Sequence, residues 1–304
     1  MKPKVIVELL KETFGEWQED KASRLAASLA YYTVFSLAPL LIIAIAIVGA
    51  IFGEEAAKGE IVGQIQGLVG NEGAQAIEAA IKNANQPNVS SVASLISVFV
   101  LLFGASGVFA QLQDALNTIW EVRVKPGRGI KGFIKKRLLS FGAVLGIGFL
   151  LLVSLVLSAV LSALSHMMSG LIPGAEWLWQ ILNFVISFGV VTLLFAMMYK
   201  FLPDVKIAWD DVWIGAIITA LLFTVGKFAL GFYLGQGSFG STYGAAGSLV
   251  IILAWVYYSA QILFFGAEFT QVYARRYGSK IEPDENAEPI PEAARAKQGM
   301  SRRR

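Results

Sequence analysis

Long apolar runs separated by short polar segments are the dominant pattern of this chain. Six of these runs are long enough for an α-helix to cross the roughly 30 Å hydrocarbon core of a bilayer. They cover about 29–52, 92–120, 138–161, 177–199, 212–234 and 248–271. The pattern predicts an all-α polytopic integral membrane protein with six transmembrane helices that together form a domain over 29–272.

The first 28 residues differ from these runs because apolar and charged positions alternate with helical spacing. Ile6, Leu10, Phe14 and Trp17 recur on one face, and acidic residues occupy much of the rest. The spacing predicts an amphipathic helix within residues 1–28. It lies either at the membrane surface, with Trp17 among the headgroups, or against the cytoplasmic loops as an ordinary soluble helix.

Two polar regions complete the predicted organisation. Residues 54–90 carry apolar positions at helical spacing on either side of a glycine-containing break, which predicts short helices outside the membrane. Residues 273–304 are rich in charge and proline, a composition typical of disordered segments. We therefore expect a disordered cytoplasmic tail.

Composition agrees with the membrane assignment and removes several classes of chemistry. The chain is 56% hydrophobic and 15% charged, whereas soluble domains carry about 25% charged residues. It has no cysteine and one histidine, His166. The usual zinc-binding sets need several of these ligands, so we predict no metal and no cofactor.

The distribution of basic residues predicts how the chain is oriented. Of 25 lysines and arginines, only Lys58, Lys82 and Lys227 fall outside the segments that would share one side of the membrane with both termini. The positive-inside rule then places both termini in the cytoplasm of a bacterial inner membrane. The basic cluster at 123–137 is explained by this topology, so we predict no nucleic-acid partner.

Lys227 is a charged residue inside the fifth predicted span, where a charge costs about 2.5–3.5 kcal/mol on insertion scales. Its side chain either reaches outward to the headgroups or faces a cavity and binds an anionic group. The kink expected at Pro39 would open a cavity beside it in the first span. The candidate substrate-binding residues are Lys227, Tyr233, Tyr243, Ser36 and Tyr31.

A glycine-rich segment follows the fifth span, with glycines at Gly235, Gly237, Gly240, Gly244 and Gly247. We interpret it either as a flexible gate or as an ordinary turn between helices. The third span carries Gly142 and Gly146 at GxxxG spacing, which suits close helix approach within the chain or in a homo-oligomer.

Glu268 is a second charged residue within a predicted span, near the inner end of the sixth. Antiparallel helices would place it too far from Lys227 for a direct pair, so its predicted partners are Arg24 and Lys200, and Asp114 is predicted to join Arg24 and Glu268 in one inner layer. Such an inner ionic layer would neutralise charges that are unstable alone in a low dielectric. It is either a fixed network that locks the helices or a gate in which Glu268 carries a proton.

Several motifs, in order along residues 10–275, together resemble the YihY/BrkB family of bacterial inner-membrane proteins, historically labelled ribonuclease BN. They are LAYYTVFSLAPLL at 29–41, QDALNTIW at 113–120, Gly226-Lys227 with Tyr233, Tyr243-Gly244-Ala245 with Gly247, Trp255 with Tyr257, and Gly266-Ala267-Glu268. The resemblance implies a six-helix membrane domain. The family's association with envelope integrity and serum resistance implies a virulence-related transport or envelope role.

The ribonuclease label conflicts with the residues present. A two-metal ribonuclease needs several histidines and carboxylates, and a metal-free one uses a histidine pair or a histidine with a carboxylate. His166 stands alone and on the side of the membrane away from cytoplasmic RNA. We therefore expect no nuclease activity.

Two functions remain as working hypotheses. The first is a transporter or flippase-like permease for an anionic or amphipathic solute, including a lipid, with the lipid bilayer as surroundings. The alternative is a non-transporting envelope scaffold or regulator that binds partners through residues 54–90 and the tail. An intramembrane enzyme is disfavoured because no nucleophile–base pair is visible in the sequence.

Overall fold

The computed structural model describes most of the predicted membrane domain and both of its flanks. The described residues are 3–55, 57–59, 61–63, 66, 74–75, 77–79, 91–125, 176–236, 247–278 and 281–297. The third predicted span, His166 and most of the glycine-rich segment lie outside these residues.

Seven helices account for most of the described chain. They are α1 (Pro3–Glu19), α2 (Ala22–Phe52), α3 (Ser91–Ile119), α4 (Glu176–Phe201), α5 (Trp209–Gln236), α6 (Gly247–Tyr277) and α7 (Glu292–Lys297). Helices α2 to α6 coincide with five of the predicted spans. Four of them, α2, α4, α5 and α6, contain stretches long and apolar enough to cross a membrane.

Four short strands form two antiparallel ribbons at one end of the bundle. They are β1 (Val122–Val124), β2 (Val205–Lys206), β3 (Glu282–Pro283) and β4 (Ala287–Pro289). Strand β1 pairs with β4, and β2 pairs with β3. We call this the basal end; it also holds the α1–α2 turn and the end of α6.

The segment after α6 differs from the predicted disordered tail. Residues 281–297 form β3, β4 and α7, and we call them the basal segment. They are ordered because their partners come from distant connections: β1 follows α3, and β2 joins α4 to α5. Local composition, on which the prediction of disorder rested, carries no information about such pairings.

Helices α5 and α6 pack at very short distance because small residues face each other along their contact. A Cβ built on Gly266 would lie 1.9 Å from Thr219 Oγ1, and one on Gly215 would lie 1.8 Å from Thr270 Oγ1. Nearer the other end, a Cβ on Gly226 would lie 2.8 Å from Tyr258 and Ile262. These glycines let the two backbones approach as they do in membrane helix pairs.

Helices α2 and α3 cross beside Pro39. Ser36 Oγ donates a hydrogen bond to the Gly104 carbonyl oxygen at 2.7 Å, and a Cβ on Gly104 would lie 3.3 Å from the Pro39 ring. Gly104 therefore gives the ring room. The Ser36 hydroxyl is bound to backbone across the helix contact.

The main apolar core lies at the basal end and joins α2 to α6 through alanine-rich faces. Its buried members include Ala26, Leu116, Tyr199, Phe264 and Ala267. The Tyr199 hydroxyl is 2.8 Å from the Leu263 carbonyl oxygen and 2.9 Å from Thr219 Oγ1, so α4, α5 and α6 share one polar contact inside this core.

The α4–α5 connection is attached to α3 through Asp204. Asn117 Nδ2 donates to Asp204 Oδ2 at 2.7 Å, and the Asp204 backbone N–H donates to Asn117 Oδ1 at 2.7 Å. Gln113 adds a longer bond of 3.3 Å to the same carboxylate. Gln271 of α6 donates to the Ile119 carbonyl at 2.7 Å and satisfies an acceptor at the end of α3.

Helix α1 packs on the basal end of α6 with a face other than its apolar stripe. Leu9 is buried against Phe269 and Val272. The next face carries Glu8, Glu12 and Glu16, which form ion pairs with Arg275 and Arg276 of α6. Of the apolar stripe, Ile6, Leu10 and Phe14 stay exposed. Trp17, predicted among the headgroups, is instead partly buried against the main core. An exposed stripe accords with the membrane-surface interpretation of this helix, which stays a prediction.

The described part of the predicted outer segment lies on the opposite end of the bundle. Ala57 and Ile77 are buried in a cluster with Ile45, Ile251 and Trp255 of α2 and α6. This apolar contact fixes parts of 57–79 to the helices.

We expect the close α5–α6 contact to respond sharply to one added methyl group. Gly266→Ala places that group inside the van der Waals radius of Thr219 and Tyr199, and overpacking of this kind costs about 1–3 kcal/mol. The matched control is Gly189→Ala in α4, where nothing lies within 4 Å. Thermal unfolding of the detergent-purified protein should show a lower midpoint for Gly266→Ala alone; equal midpoints would contradict the packing described.

Candidate functional site

Glu268 is the charged side chain most completely removed from solvent at the basal end. It lies in α6, one turn before the end of the apolar core, and its side chain is 0% exposed. Neither carboxylate oxygen has a hydrogen-bond partner among the described residues. A buried carboxylate normally has such partners, so Glu268 is the leading candidate for a functional group at this end.

The charged groups close enough to act on Glu268 are three acids and one arginine. Asp20 and Glu16 come from the α1–α2 junction, Glu121 follows α3, and Arg275 lies two turns further along α6. The composition of this layer differs from the predicted set of Arg24, Asp114 and Glu268. Arg24 and Asp114 have exposed side chains, because they sit on the outer faces of α2 and α3 at the same depth.

Asp20 shares its positive partner with Glu121. Arg295 of α7 reaches into the basal end, where its Nη2 lies 2.9 Å from Asp20 Oδ1 and its Nη1 lies 3.0 Å from Glu121 Oε1. Both Asp20 and Arg295 are buried. We call Asp20, Glu121, Glu268 and Arg295 the basal charge cluster.

Burial raises the pKa of Asp20 from 3.8 to about 7. Removal from water disfavours the carboxylate most strongly, and the negative charges of Glu121 and Glu16 act in the same direction. Arg295 opposes this shift only in part. The cluster therefore contains an acid that changes its charge near neutral pH.

A cavity of about 400 Å³ opens beside the cluster, between the end of α6 and the basal segment. Helix α6 contributes Gln271 and Arg275 to its lining, and the residues after α3 contribute Trp120 and Glu121. Its other wall is formed by Ile281, Glu282, Pro283 and Pro289 of the basal segment. Gln271 lies one turn from Glu268 along α6, so the cavity is close to the buried acid, although Glu268 does not line it.

Lys227 lies in α5 far from this cluster and has an exposed side chain. It is 18 residues beyond the start of α5, which is about 27 Å along a helix with a rise of 1.5 Å per residue. The structure thus separates Lys227 from Glu268, as predicted. The exposed position accords with a side chain that reaches outward to the headgroups; the interpretation in which Lys227 faces a cavity stays a prediction. Lys200, predicted as a partner of Glu268, instead donates to the Ile207 carbonyl.

The other predicted binding residues do not form one group. Ser36 is buried in the α2–α3 contact, whereas Tyr31 is exposed and packs on Phe35 with ring centroids 4.9 Å apart. Tyr243 and the side chain of Tyr233 lie outside the described residues. No shared cavity therefore joins Ser36 to Tyr31 in the described part of the chain.

The predicted flexible loop is shorter than its glycines suggested. Gly235 belongs to α5, which continues to Gln236, and Gly247 is the buried first residue of α6. Gly237, Gly240 and Gly244 lie outside the described residues. The gate interpretation of this segment stays a prediction.

Sequence reasoning missed Asp20, Glu121 and Arg295. Asp20 directly precedes Lys21, which has left-handed backbone, and Glu121 has left-handed backbone itself. Both residues lie at helix ends, where the chain turns and the side chain points inward. For Arg295 a signal was present: Pro291 followed by Glu292 and two alanines is typical of a helix start. Among the described residues, no group of three or more His, Cys, Asp and Glu is placed to hold a metal ion.

We expect Glu268 to tolerate its neutral amide counterpart. Glu268→Gln keeps the shape and removes an acid that has no described hydrogen-bond partner, so the thermal midpoint should be unchanged or higher. Gln271→Leu, one turn away, leaves the Ile119 carbonyl without its donor and should destabilise by about 1–3 kcal/mol. A loss of stability in Glu268→Gln as large as in Gln271→Leu would show that Glu268 is a structural anchor.

Comparison with known proteins gives this architecture a family. The family model described as Virulence factor BrkB matches residues 13–291, a range that includes every member of the basal charge cluster except Arg295. No solved structure matches the chain.

Several curated relatives are bacterial UPF0761 membrane proteins. The one from Verminephrobacter eiseniae is 30% identical over 276 residues, which cover 88% of this chain and 61% of the relative. The one from Psychrobacter sp. is 28% identical, and the match covers 90% of this chain and 50% of the relative. The one from Mannheimia succiniciproducens is 26% identical, and the match covers 88% of this chain and 92% of the relative.

The chain therefore spans 61% of the length of the first of these relatives and 50% of the length of the second. Their names describe membrane proteins, in accord with the long apolar helices of the structure. The match to the family model covers most of the chain, and we conclude that this protein is an integral membrane protein of the BrkB family.

Proposed function

We propose that this protein is a permease that moves an anionic or amphipathic solute, of which an anionic phospholipid is the leading example, across the bacterial inner membrane. The observation that carries the proposal is Glu268, fully buried with no described hydrogen-bond partner, at the base of a helix bundle. Ionisable groups inside membrane domains are expensive and typically mark solute or proton pathways. The proposed activity makes and breaks no covalent bond.

The proposed orientation is six spans with both termini in the cytoplasm. Helix α1 and the basal segment both pack at the basal end. That end also carries Arg275, Arg276 and Arg295, and basic residues flanking spans favour the cytoplasmic side. The basal end is then the inner end of the pathway.

Lys227 is the proposed contact for the negative group of the solute. Its position about 27 Å along α5 from the basal end is near the outer surface of a bilayer. An exposed ammonium group at that depth attracts a phosphate or carboxylate. The neighbouring Gly226 holds α5 tightly to α6, so a change at Lys227 is transmitted to a rigid helix pair.

Glu268 is the proposed coupling acid at the inner end. A carboxyl group that is neutral when buried and charged when hydrated can exchange a proton as the bundle opens and closes. The adjacent cavity of about 400 Å³ provides the hydrated side of this exchange. In the closed arrangement the acid is sealed, and opening the basal end would expose it to the cytoplasm.

The second candidate function is a non-transporting envelope scaffold. It is favoured by the tight packing of the basal end, where Tyr199, Phe264 and Ala267 are each 0% exposed. A permanently sealed Glu268 would then be a structural feature. The two candidates differ in whether solute crosses the membrane.

A flux measurement separates the two. The purified protein is placed in liposomes containing a trace of fluorescent phosphatidylglycerol, and exchange between leaflets is followed with a quencher that cannot cross. We expect Lys227→Ala and Glu268→Gln each to reduce exchange by about tenfold or more, as expected when an interaction of about 1.4 kcal/mol is lost.

The controls remove the same charges elsewhere. Lys206→Ala and Glu285→Gln change exposed residues of the basal end and should leave exchange unaltered. If the wild-type protein catalyses no exchange of the lipid, or if Lys227→Ala and Glu268→Gln both match it, the lipid permease is wrong and the scaffold is favoured.

A further inference from the structure

The basal segment touches every described connection at its end of the bundle. Strand β4 pairs with β1 after α3, and β3 pairs with β2 between α4 and α5. Arg295 binds Asp20 in the α1–α2 turn. A single stretch of 17 residues therefore joins three connections that are far apart in sequence.

The ribbons that hold this segment are short and only partly buried. The β1–β4 ribbon has three residue pairs, and the β2–β3 ribbon has two. The Arg123–Glu288 pair across β1 and β4 has both side chains partly exposed, at 41% and 32%. Two-stranded ribbons of this size are marginally stable in water, so the segment depends on its buried contacts.

Arg295 supplies the most important of these contacts. Its side chain is 6% exposed, and its two terminal nitrogens bind carboxylates on different elements, Asp20 and Glu121. Without this cation, two carboxylates would share the buried layer with Glu268. Removing one partner of a buried ion pair leaves an uncompensated charge and is strongly destabilising.

We propose that residues 281–297 are a latch that closes the basal end over Glu268, held closed by the contacts of Arg295 with Asp20 and Glu121. Undocking removes one wall of the cavity beside Gln271, formed by Ile281, Glu282, Pro283 and Pro289. That opening hydrates the buried acids. The docking equilibrium stands on these contacts alone, whereas its effect on solute movement rests on the proposed function.

The direction of the pH effect follows from the groups that face Asp20. They are Arg295 of α7, Glu121 after α3, Glu16 of α1, and Glu268 of α6. In the docked state the pKa of Asp20 is raised from 3.8 to about 7, mainly by burial. Between these two values the docked state binds a proton that the undocked state has lost, so docking is tightest below 3.8 and weakens as pH rises towards about 7. When Asp20 is protonated, Arg295 keeps the Glu121 carboxylate as its ionic partner. Above that value the docking equilibrium is flat.

The chain has no cysteine, so a single introduced thiol reports undocking without background. Ala287 of β4 is 3% exposed and paired with β1, so we expect a cysteine at this position to react with a maleimide only when β4 leaves β1. We expect Arg295→Gln to speed modification of Ala287→Cys in the detergent-purified full chain by about tenfold or more. Arg123→Gln, which removes an exposed pair from the same ribbon, should change the rate by less than about threefold.

The pH dependence of labelling is measured with Arg295 intact, in the wild type and in Asp20→Asn. The rate at Ala287→Cys is divided by the rate at Glu285→Cys, an exposed position three residues after β3 begins, which corrects for thiol ionisation. The ratio should rise between pH 5 and 7 in the wild type and stay flat in Asp20→Asn. A ratio independent of pH in the wild type, or equal effects of Arg295→Gln and Arg123→Gln, would overturn the latch.

A disulfide tests whether the latch controls flux. Val124 and Ala287 are direct cross-strand partners, and their cysteine pair can be closed and reopened with a reductant. We expect the oxidised pair to block phosphatidylglycerol exchange and reduction to restore it. If Arg295→Gln raises the labelling rate at Ala287→Cys but the disulfide leaves lipid exchange unchanged, the docking equilibrium is supported and its control of flux is rejected. Absent exchange in the wild type would reject the proposed function alone.

Discussion

A charge removed from water must be paired or neutralised, and this constraint shapes the basal end of the molecule. Asp20 and Glu121 are carried inward by the ends of α1 and α3, and Arg295 comes from the far side of the sequence to meet both. The neighbouring Glu16 is satisfied separately by Arg275, at 2.5 Å. Glu268 is left within this layer without a described partner, which is why its chemistry differs from that of the acids around it.

The helices above this layer are held by small residues and by amides. Gly215, Gly226 and Gly266 allow α5 and α6 to touch along their length. Asn117 and Gln113 attach α3 to Asp204. Several of these residues belong to the motifs by which the chain resembles its family, so much of the shared sequence pattern is explained by helix packing. Glu268 is a motif residue that packing does not explain, since an alanine or leucine would fill a buried position with less free-energy cost.

The helices could be predicted from sequence because hydrophobic length is a local property. Five of six predicted spans coincide with described helices, and the separation of Lys227 from Glu268 followed from antiparallel order. The partners of Glu268 could not be predicted the same way. Arg24 and Asp114 lie at the right depth but point outward. Which side of a helix faces inward near its end depends on the turns that follow, such as the left-handed Lys21 and Glu121.

The two ribbons also impose an order on assembly. Strand β1 pairs with a strand about 165 residues later in the sequence, and β2 pairs with one about 78 residues later. During synthesis all the described membrane helices leave the ribosome before residues 281–297 do, so Asp20 and Glu121 meet Arg295 only after that moment. Closure of the basal end is thus a late event of biogenesis, and a chain truncated before Arg295 would insert its helices yet keep its inner acids open to water.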